Sequence, residues 1–155
     1  MILTTSASTK ISNPTPDDIR KVLENYECSN NIVTQATIES NDITLVIEYD
    51  KKYGYYILEL NEYKAPLGDK QDKSLLVVHD MGGDPFLIPL CCHLDSRQAE
   101  KILLHFMRYD GELLDYPSWY DIYEGQSEGF IDNELYNDCK FGEMLKIRDG
   151  SVAKL

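Results

Sequence analysis

Three consecutive residues are the first candidates for chemistry in this sequence. Cys91, Cys92 and His93 carry metal-binding atoms, and Cys28 and Cys139 could join them. A zinc site needs four nitrogen or sulfur ligands around one point. Neighbouring residues of a strand point to opposite faces, and no Cys-x-x-Cys pair is present. We therefore interpret the cysteines as buried and unreactive, and we expect no metal and no cofactor.

The segment from His79 to Asp84 offers a second candidate, a possible base with carboxylates beside two glycines. Backbone N–H groups of a glycine-rich loop can hold phosphate. The segment matches neither the phosphate-loop pattern nor the dinucleotide-binding pattern, however. We therefore predict a hairpin turn here and no catalytic residues.

The third candidate is an acidic segment that is also rich in aromatic residues. Residues 109–139 contain nine acids and no Lys or Arg, so they carry −9 of the net charge of −12. A disordered acidic tail would be poor in aromatic residues, but this segment contains seven. Tyr and Trp carry much of the energy of protein interfaces, and carboxylates accept paired hydrogen bonds from Arg. A solvated face with a few aromatics turned into the core is the alternative interpretation.

We therefore predict a protein-binding surface on this segment. Its predicted members are Asp110, Glu112, Asp115, Tyr116, Trp119, Tyr120, Asp121, Tyr123 and Glu124.

The composition of the chain limits the kind of protein to which these candidate residues belong. The 155 residues are 43% hydrophobic and 27% charged, which predicts one folded domain spanning residues 1–155. A pI near 4.5 argues against a nucleic-acid-binding protein, which would need a basic patch. No apolar run is long enough to span a membrane, and the start of the sequence does not resemble a secretory leader, so we expect a cytoplasmic protein.

Two helices are predicted from caps and apolar spacing. Thr15 can cap a first helix over residues 16–26, with Pro16 at its first position and an apolar stripe that ends at Tyr26. Asp95 or Ser96 can cap a second helix. Its apolar residues recur at helical spacing and are Ala99, Ile102, Leu103, Phe106 and Met107.

Runs rich in β-branched and aromatic residues predict five antiparallel strands. They are Ile32 to Glu39, Ile43 to Tyr49, Tyr55 to Leu60, Ser74 to His79 and Phe86 to Cys91. Pro89 places the last strand at an edge or a bulge. We expect a loose arm or edge strand over residues 1–13, a polar loop over 61–73, a helical turn at 132–138 and a short strand at 143–148.

The predicted fold is α+β: an antiparallel sheet of about five strands, two helices packed on one of its faces, and an irregular acidic C-terminal region.

This layout resembles a family of bacterial immunity proteins, the first-numbered immunity family. The residues that carry the resemblance are the Asn13 to Ile19 helix start and the helix Ala99 to Phe106, followed by Gly111 and Trp119. In that family a helix ending in an aromatic pair precedes a glycine and a tryptophan. Here Met107 replaces the second aromatic residue and Trp119 falls later than usual. The match covers roughly residues 11–124, and residues 125–155 depart from it.

The resemblance implies a non-catalytic protein that neutralises a polymorphic or contact-dependent growth inhibition toxin. The partner would be the C-terminal domain of a cognate toxin, a basic nuclease or nucleic-acid deaminase, held in a stoichiometric complex. No nucleic acid and no membrane is expected as a partner, and the oligomeric state stays open. Two alternatives remain: an adaptor or nucleic-acid mimic that binds another basic protein, and a small enzyme using His79, Asp80 or Cys92.

Overall fold

The computed structural model describes residues 1–5, 9–28, 35–70, 72–81, 84–115, 118–122, 137–148 and 151–155. Within these ranges the chain forms two α-helices and two antiparallel sheets of seven and four strands. The helices cover one face of the larger sheet, and the smaller sheet packs near its other face. The predicted α+β class with two helices on one face is therefore confirmed.

The seven-stranded sheet contains the first strands of the chain and one late strand. In spatial order its strands are β2 (Lys10–Ser12), β1 (Ile2–Thr4), β3 (Ala36–Ser40), β4 (Ile43–Asp50), β5 (Gly54–Glu59), β6 (Lys64–Pro66) and β9 (Trp119–Asp121). The central strands β3, β4 and β5 match three predicted strands within a few residues. The predicted arm forms a hairpin of β1 and β2, and the predicted loop at 61–73 contains β6.

The four-stranded sheet is built from the second half of the chain. Its strands are, in order, β11 (Ser151–Lys154), β10 (Met144–Arg148), β7 (Leu75–Met81) and β8 (Asp84–Pro89). Met81 pairs with Asp84, so β7 and β8 form the predicted hairpin, whereas Gly82 and Gly83 of the predicted turn lie outside the described residues. Strand β8 lies at the edge of this sheet in the described ranges, as Pro89 predicts.

Both helices are capped by side chains and bury the predicted stripes. The backbone N–H of Asp18 donates to Thr15 Oγ1, while the N–H of Thr15 donates to the Asp18 carboxylate, at the start of α1 (Pro16–Cys28). Asp95 and Gln98 form a capping box for α2 (Ser96–Arg108). The buried residues are Ile19, Val22, Leu23 and Tyr26 on α1, and Ala99, Ile102, Leu103 and Phe106 on α2.

The central strands are buried on both faces. Leu45 and Ile47 of β4 pack with the helices, whereas Val46 packs in the layer toward the second sheet. Tyr55 and Ile57 of β5, two residues apart, likewise pack on the helix side of the sheet. A third apolar cluster, which includes Leu76, Val78, Leu87, Leu145 and Val152, belongs to the four-stranded sheet. Helices, large sheet and small sheet therefore form three layers.

Two details of the predicted fold are wrong. About five strands were expected, but eleven occur in the described ranges, because strands of three residues are too short to show an alternating pattern. The C-terminal region was expected to be irregular apart from a short strand at 143–148; β10 confirms that strand, but β9 and β11 also form there and pair with β6 and β10. In the described ranges no helix is both long and apolar enough to cross a membrane.

Candidate functional site

The acidic surface begins where α2 ends. Asp110 and Gly111 both have positive φ values, 51° and 95°, and this left-handed backbone ends the helix. The N–H of Gly111 donates to the carbonyl of Phe106 at 2.8 Å. Ser40 Oγ donates to the Asp110 carboxylate at 2.8 Å, and the Asn41 side chain donates to the Asp110 carbonyl. Asp110 therefore holds the end of α2 against the β3–β4 turn.

Glu112 and Asp115 differ from Asp110 in having no such side-chain bond to another of the described residues. Both residues are exposed. Neither one, nor Asp110, forms an ion pair within the residues that the structure describes.

Trp119 and Tyr120, two aromatic residues of the predicted surface, lie on β9, and their side chains are on opposite faces of this strand. Trp119 packs against the core on the helix side, whereas Tyr120 packs against the apolar layer between the sheets. Side chains of successive strand residues point to opposite faces, which explains the division. Trp119 Nε1 donates to the carbonyl of Leu114 at 2.8 Å, so part of the indole has a structural role.

Two lysines lie next to this part of the acidic segment. Lys73 Nζ lies 5.3 Å from the centre of the Tyr120 ring, and Lys64 is directly opposite Asp121 in the β6–β9 register. The pKa of Lys64 is raised, mainly by Glu62 and also by Asp121. The negative charge of Asp121 is therefore partly balanced within the chain.

The structure thus places the predicted residues in two groups. Asp110, Glu112 and Asp115 follow α2, while Trp119, Tyr120 and Asp121 lie on β9. Tyr116, Tyr123 and Glu124 lie outside the described residues.

A buried polar cluster between the two sheets was missed by the sequence analysis. It consists of Gln35, Glu48, Tyr56, His79 and His93, and four of these side chains are almost fully buried. The Tyr56 hydroxyl donates to the Glu48 carboxylate, whose other oxygen accepts from Gln35 at 3.0 Å. The His79 ring lies 4.4 Å from the Tyr56 ring, measured between centroids.

The two histidines contact each other directly. His79 Nε2 and His93 Nε2 are 2.9 Å apart. The ring centroids are 5.1 Å apart, so the two nitrogens lie between the rings. His93 is held in place by its neighbour Leu94, which exchanges backbone hydrogen bonds of 2.7 and 2.9 Å with Tyr55 of β5. Gly54 has a φ of 102° and passes against the Leu94 carbonyl where a Cβ would not fit.

Burial dominates the acid–base chemistry of this cluster. Burial raises the pKa of Glu48 to about 7, although hydrogen bonds from Tyr56 and Gln35 oppose the increase. Burial lowers the pKa of His79 to about 4 and that of His93 to about 3. Both imidazoles are therefore neutral at pH 7. Nothing in the geometry opens them to a substrate, since His79 is only 6% exposed and His93 only 2%.

A sequence signal for this cluster existed. Glu48 alternates in phase with Val46, and His79 with Val77, so both polar residues stand at positions that face the core. A polar residue at a core position needs a partner, because burying it unpaired is costly.

The cysteines are placed differently from the prediction in one respect. Phe86 to Cys91 was expected to be a strand, but β8 ends at Pro89, and Leu90–Cys92 form a 3₁₀ turn. Cys91 and Cys92 consequently pack into one apolar cluster instead of pointing to opposite faces. The adjacent Cys91 sulfur and burial raise the pKa of the Cys92 thiol. Both thiols are buried, as predicted; Cys28 is exposed and Cys139 is half-buried.

No group of three or more His, Cys, Asp or Glu residues suited to a metal ion occurs in the described ranges. Comparison of this chain with protein-family models, with curated proteins and with solved structures finds no match.

Proposed function

We propose that this protein is an immunity protein: it binds the C-terminal domain of a cognate toxin and inhibits it stoichiometrically. The observation that carries the proposal is the acidic surface after α2, where Glu112 and Asp115 are exposed and form no ion pair in the described ranges. The resemblance to the first-numbered immunity family, based on the residues quoted above, supports the same function.

The charge of the acidic segment indicates which class of toxin the protein would bind. A toxin that acts on nucleic acid as a nuclease or deaminase has to hold phosphates, so its active-site surface is basic. Nine acids without a base in residues 109–139 are complementary to such a surface. Carboxylates facing Lys and Arg would steer the encounter, so we expect fast association that slows as salt concentration rises.

The β9 strand supplies the second part of the proposed surface. Trp119 is half-buried, which leaves part of a rigid indole for contact while Nε1 is bound to Leu114. Large aromatic side chains lose little conformational freedom on binding, and they often contribute much of the binding energy of an interface. We infer that Trp119 provides apolar contact with the toxin, and that the acids around it favour a partner with a basic surface.

The burial of the possible catalytic residues supports a binding function over an enzymatic one. The alternative enzyme would use His79, Asp80 or Cys92 in an accessible pocket, and of these three residues only Asp80 is exposed. His79 is instead enclosed between the sheets, and Cys92 is fully buried.

Co-expression with a candidate toxin tests the proposal. The chain is produced together with the tagged C-terminal domain of the large protein encoded beside it. A one-to-one complex and restored growth are expected. Absence of both, with both proteins folded, would overturn the proposal.

A charge reversal then tests the surface. Glu112→Lys should slow association markedly and reduce its salt dependence. Glu24→Lys is the matched control, because Glu24 is an exposed acid on α1 that changes the net charge equally. Equal effects of the two variants would show that total charge, and not the surface after α2, governs binding.

A further inference from the structure

The His79–His93 contact joins two layers of the fold. His79 belongs to β7 of the four-stranded sheet. His93 lies in the connection from β8 to α2, and this connection is attached to the seven-stranded sheet by the Leu94–Tyr55 bonds. A second attachment is the hydrogen bond from the N–H of Gly68 to the carbonyl of Cys91 at 2.7 Å. The imidazole pair is therefore a polar link between the two sheets.

The surroundings of His93 determine which nitrogen carries the proton. His93 Nδ1 is 3.1 Å from the carbonyl oxygen of Pro89 and 3.3 Å from that of Leu90. Carbonyl oxygens only accept, so Nδ1 must be the protonated nitrogen of His93. A neutral His93 then has a bare Nε2, and the 2.9 Å contact requires His79 Nε2–H to donate to it.

This arrangement tolerates one extra proton but not two. With one, His79 Nδ1 takes up the proton, and the resulting imidazolium still donates its Nε2–H to the bare Nε2 of neutral His93. With two, both Nε2 atoms carry hydrogen and neither can accept, so the bond is lost and two like charges face each other in a buried layer.

Charged and titratable groups approach the pair from both sheets. On the seven-stranded sheet, Asp50 acts on His79 and raises its pKa. The Tyr56 ring contacts the His79 ring at a tilt of 51°, and the Tyr56 hydroxyl donates to Glu48. On β7 the next residue, Asp80, acts on Glu48 and Tyr56.

On the other side, Lys70 acts on His93 and lowers its pKa, and the Tyr53 ring lies 5.8 Å from the His93 ring. The Lys70 ammonium donates to the carbonyl of Tyr53. Burial outweighs Asp50 at His79, and at His93 it outweighs the hydrogen bonds to the carbonyls of Pro89 and Leu90. The surroundings therefore favour the neutral pair.

We propose that the His79–His93 pair is an acid-sensitive latch, which holds the four-stranded sheet against the seven-stranded sheet while the pair carries at most one extra proton and releases it when both imidazoles are protonated. In the open state the imidazoles reach water and take up protons at their ordinary pKa. The open state thus binds more protons than the closed one, and acid favours opening. The opening equilibrium constant should rise about tenfold per pH unit for each proton taken up.

Nitrogen NMR of the histidine rings in the full chain tests the latch without a variant. At pH 7 we expect His93 protonated on Nδ1 and His79 protonated on Nε2, with both rings neutral. Both rings should stay neutral at pH 5.5. Two cationic rings in the closed protein at pH 5.5, or His93 protonated on Nε2 at pH 7, would overturn the proposal.

Amide hydrogen exchange tests the opening. After correction for intrinsic rates, protection of β7 and β8 should fall between pH 6.5 and pH 4.5, while β3 and β4 keep theirs. The double variant His79→Gln/His93→Gln should lose this difference, and His105→Gln, a histidine outside the pair, should retain it. If β7 and β8 stay as protected as β3 and β4 in the unsubstituted protein, the latch does not exist.

Discussion

Ser40 Oγ donates a 2.8 Å hydrogen bond to the carboxylate of Asp110, a residue 70 positions later in the chain. Asn41 adds a bond to the Asp110 carbonyl at 2.8 Å. The first acid of the acidic segment therefore joins the β3–β4 turn to the end of α2, whereas Glu112 and Asp115 are exposed and form no bond of this kind to another described residue. One segment thus combines a structural carboxylate with exposed ones.

Asp110→Ala should lower the free energy of unfolding by about 1–3 kcal/mol, because a hydrogen bond to a charged group is lost and alanine is placed at positive φ. Urea denaturation measures the change. Glu112→Ala is the matched control and should change stability by less than about 0.5 kcal/mol. Similar losses in the two variants would contradict the structural role of Asp110.

Gly111→Ala should destabilise the protein more than Gly142→Ala. Both glycines have positive φ, 95° and 79°. A Cβ on Gly111 would lie 2.9 Å from Ser40 Cβ, whereas one on Gly142 would meet nothing within 4 Å. The backbone strain of about 1 kcal/mol is common to both variants, so the difference in their unfolding free energies measures the contact with Ser40. Equal destabilisation would show that the helix end can move away from β3.

Trp119→Phe should lower the free energy of unfolding by about 1 kcal/mol, because the hydrogen bond from Nε1 to the Leu114 carbonyl is lost while most apolar contact remains. Thermal denaturation followed by circular dichroism is suitable, since the variant lacks the only tryptophan of the chain. An unchanged melting temperature would indicate that water replaces the indole as the donor to Leu114.

The stability of the protein should depend on pH with two opposing contributions. The folded-state pKa values of His79 and His93 are about 4 and 3, below the usual 6.5, so the unfolded chain binds more protons between about pH 4 and 6.5. The histidines therefore make the protein less stable as pH falls through this range. Glu48, with a pKa raised to about 7 from 4.5, binds its proton in the folded state first, so its contribution is lost as pH rises from 4.5 to 7.

Glu48→Gln should consequently steepen the loss of stability on acidification between pH 6.5 and 4.5, because only the histidine contribution remains. Glutamine keeps an acceptor for Tyr56 and does not titrate. Unfolding free energies measured at several pH values give the slope. An unchanged slope would mean that Glu48 titrates alike in the folded and unfolded chain.

Much of the secondary structure could be predicted because it depends on local patterns. The stripes of α1 and α2 recur every three or four residues, and the caps at Thr15 and Asp95 are short-range features. The alternation in β4 and β5 likewise spans enough residues to be recognised. Strands β6 and β9, with three residues each, exist because they pair with each other from positions far apart, and no local pattern records such a pairing.

The features of the candidate sites also divide into those that local patterns predict and those that depend on packing between distant segments. Composition and periodicity were sufficient to predict the charge asymmetry, the two helices, the central strands and the β7–β8 hairpin. Three contacts became visible only in the folded chain: Asp110 is bound to Ser40, Trp119 and Tyr120 lie on opposite faces of β9, and His79 contacts His93. Each of these contacts joins segments that come together only when the sheets and helices pack, and burial between those layers sets the protonation of the two imidazoles.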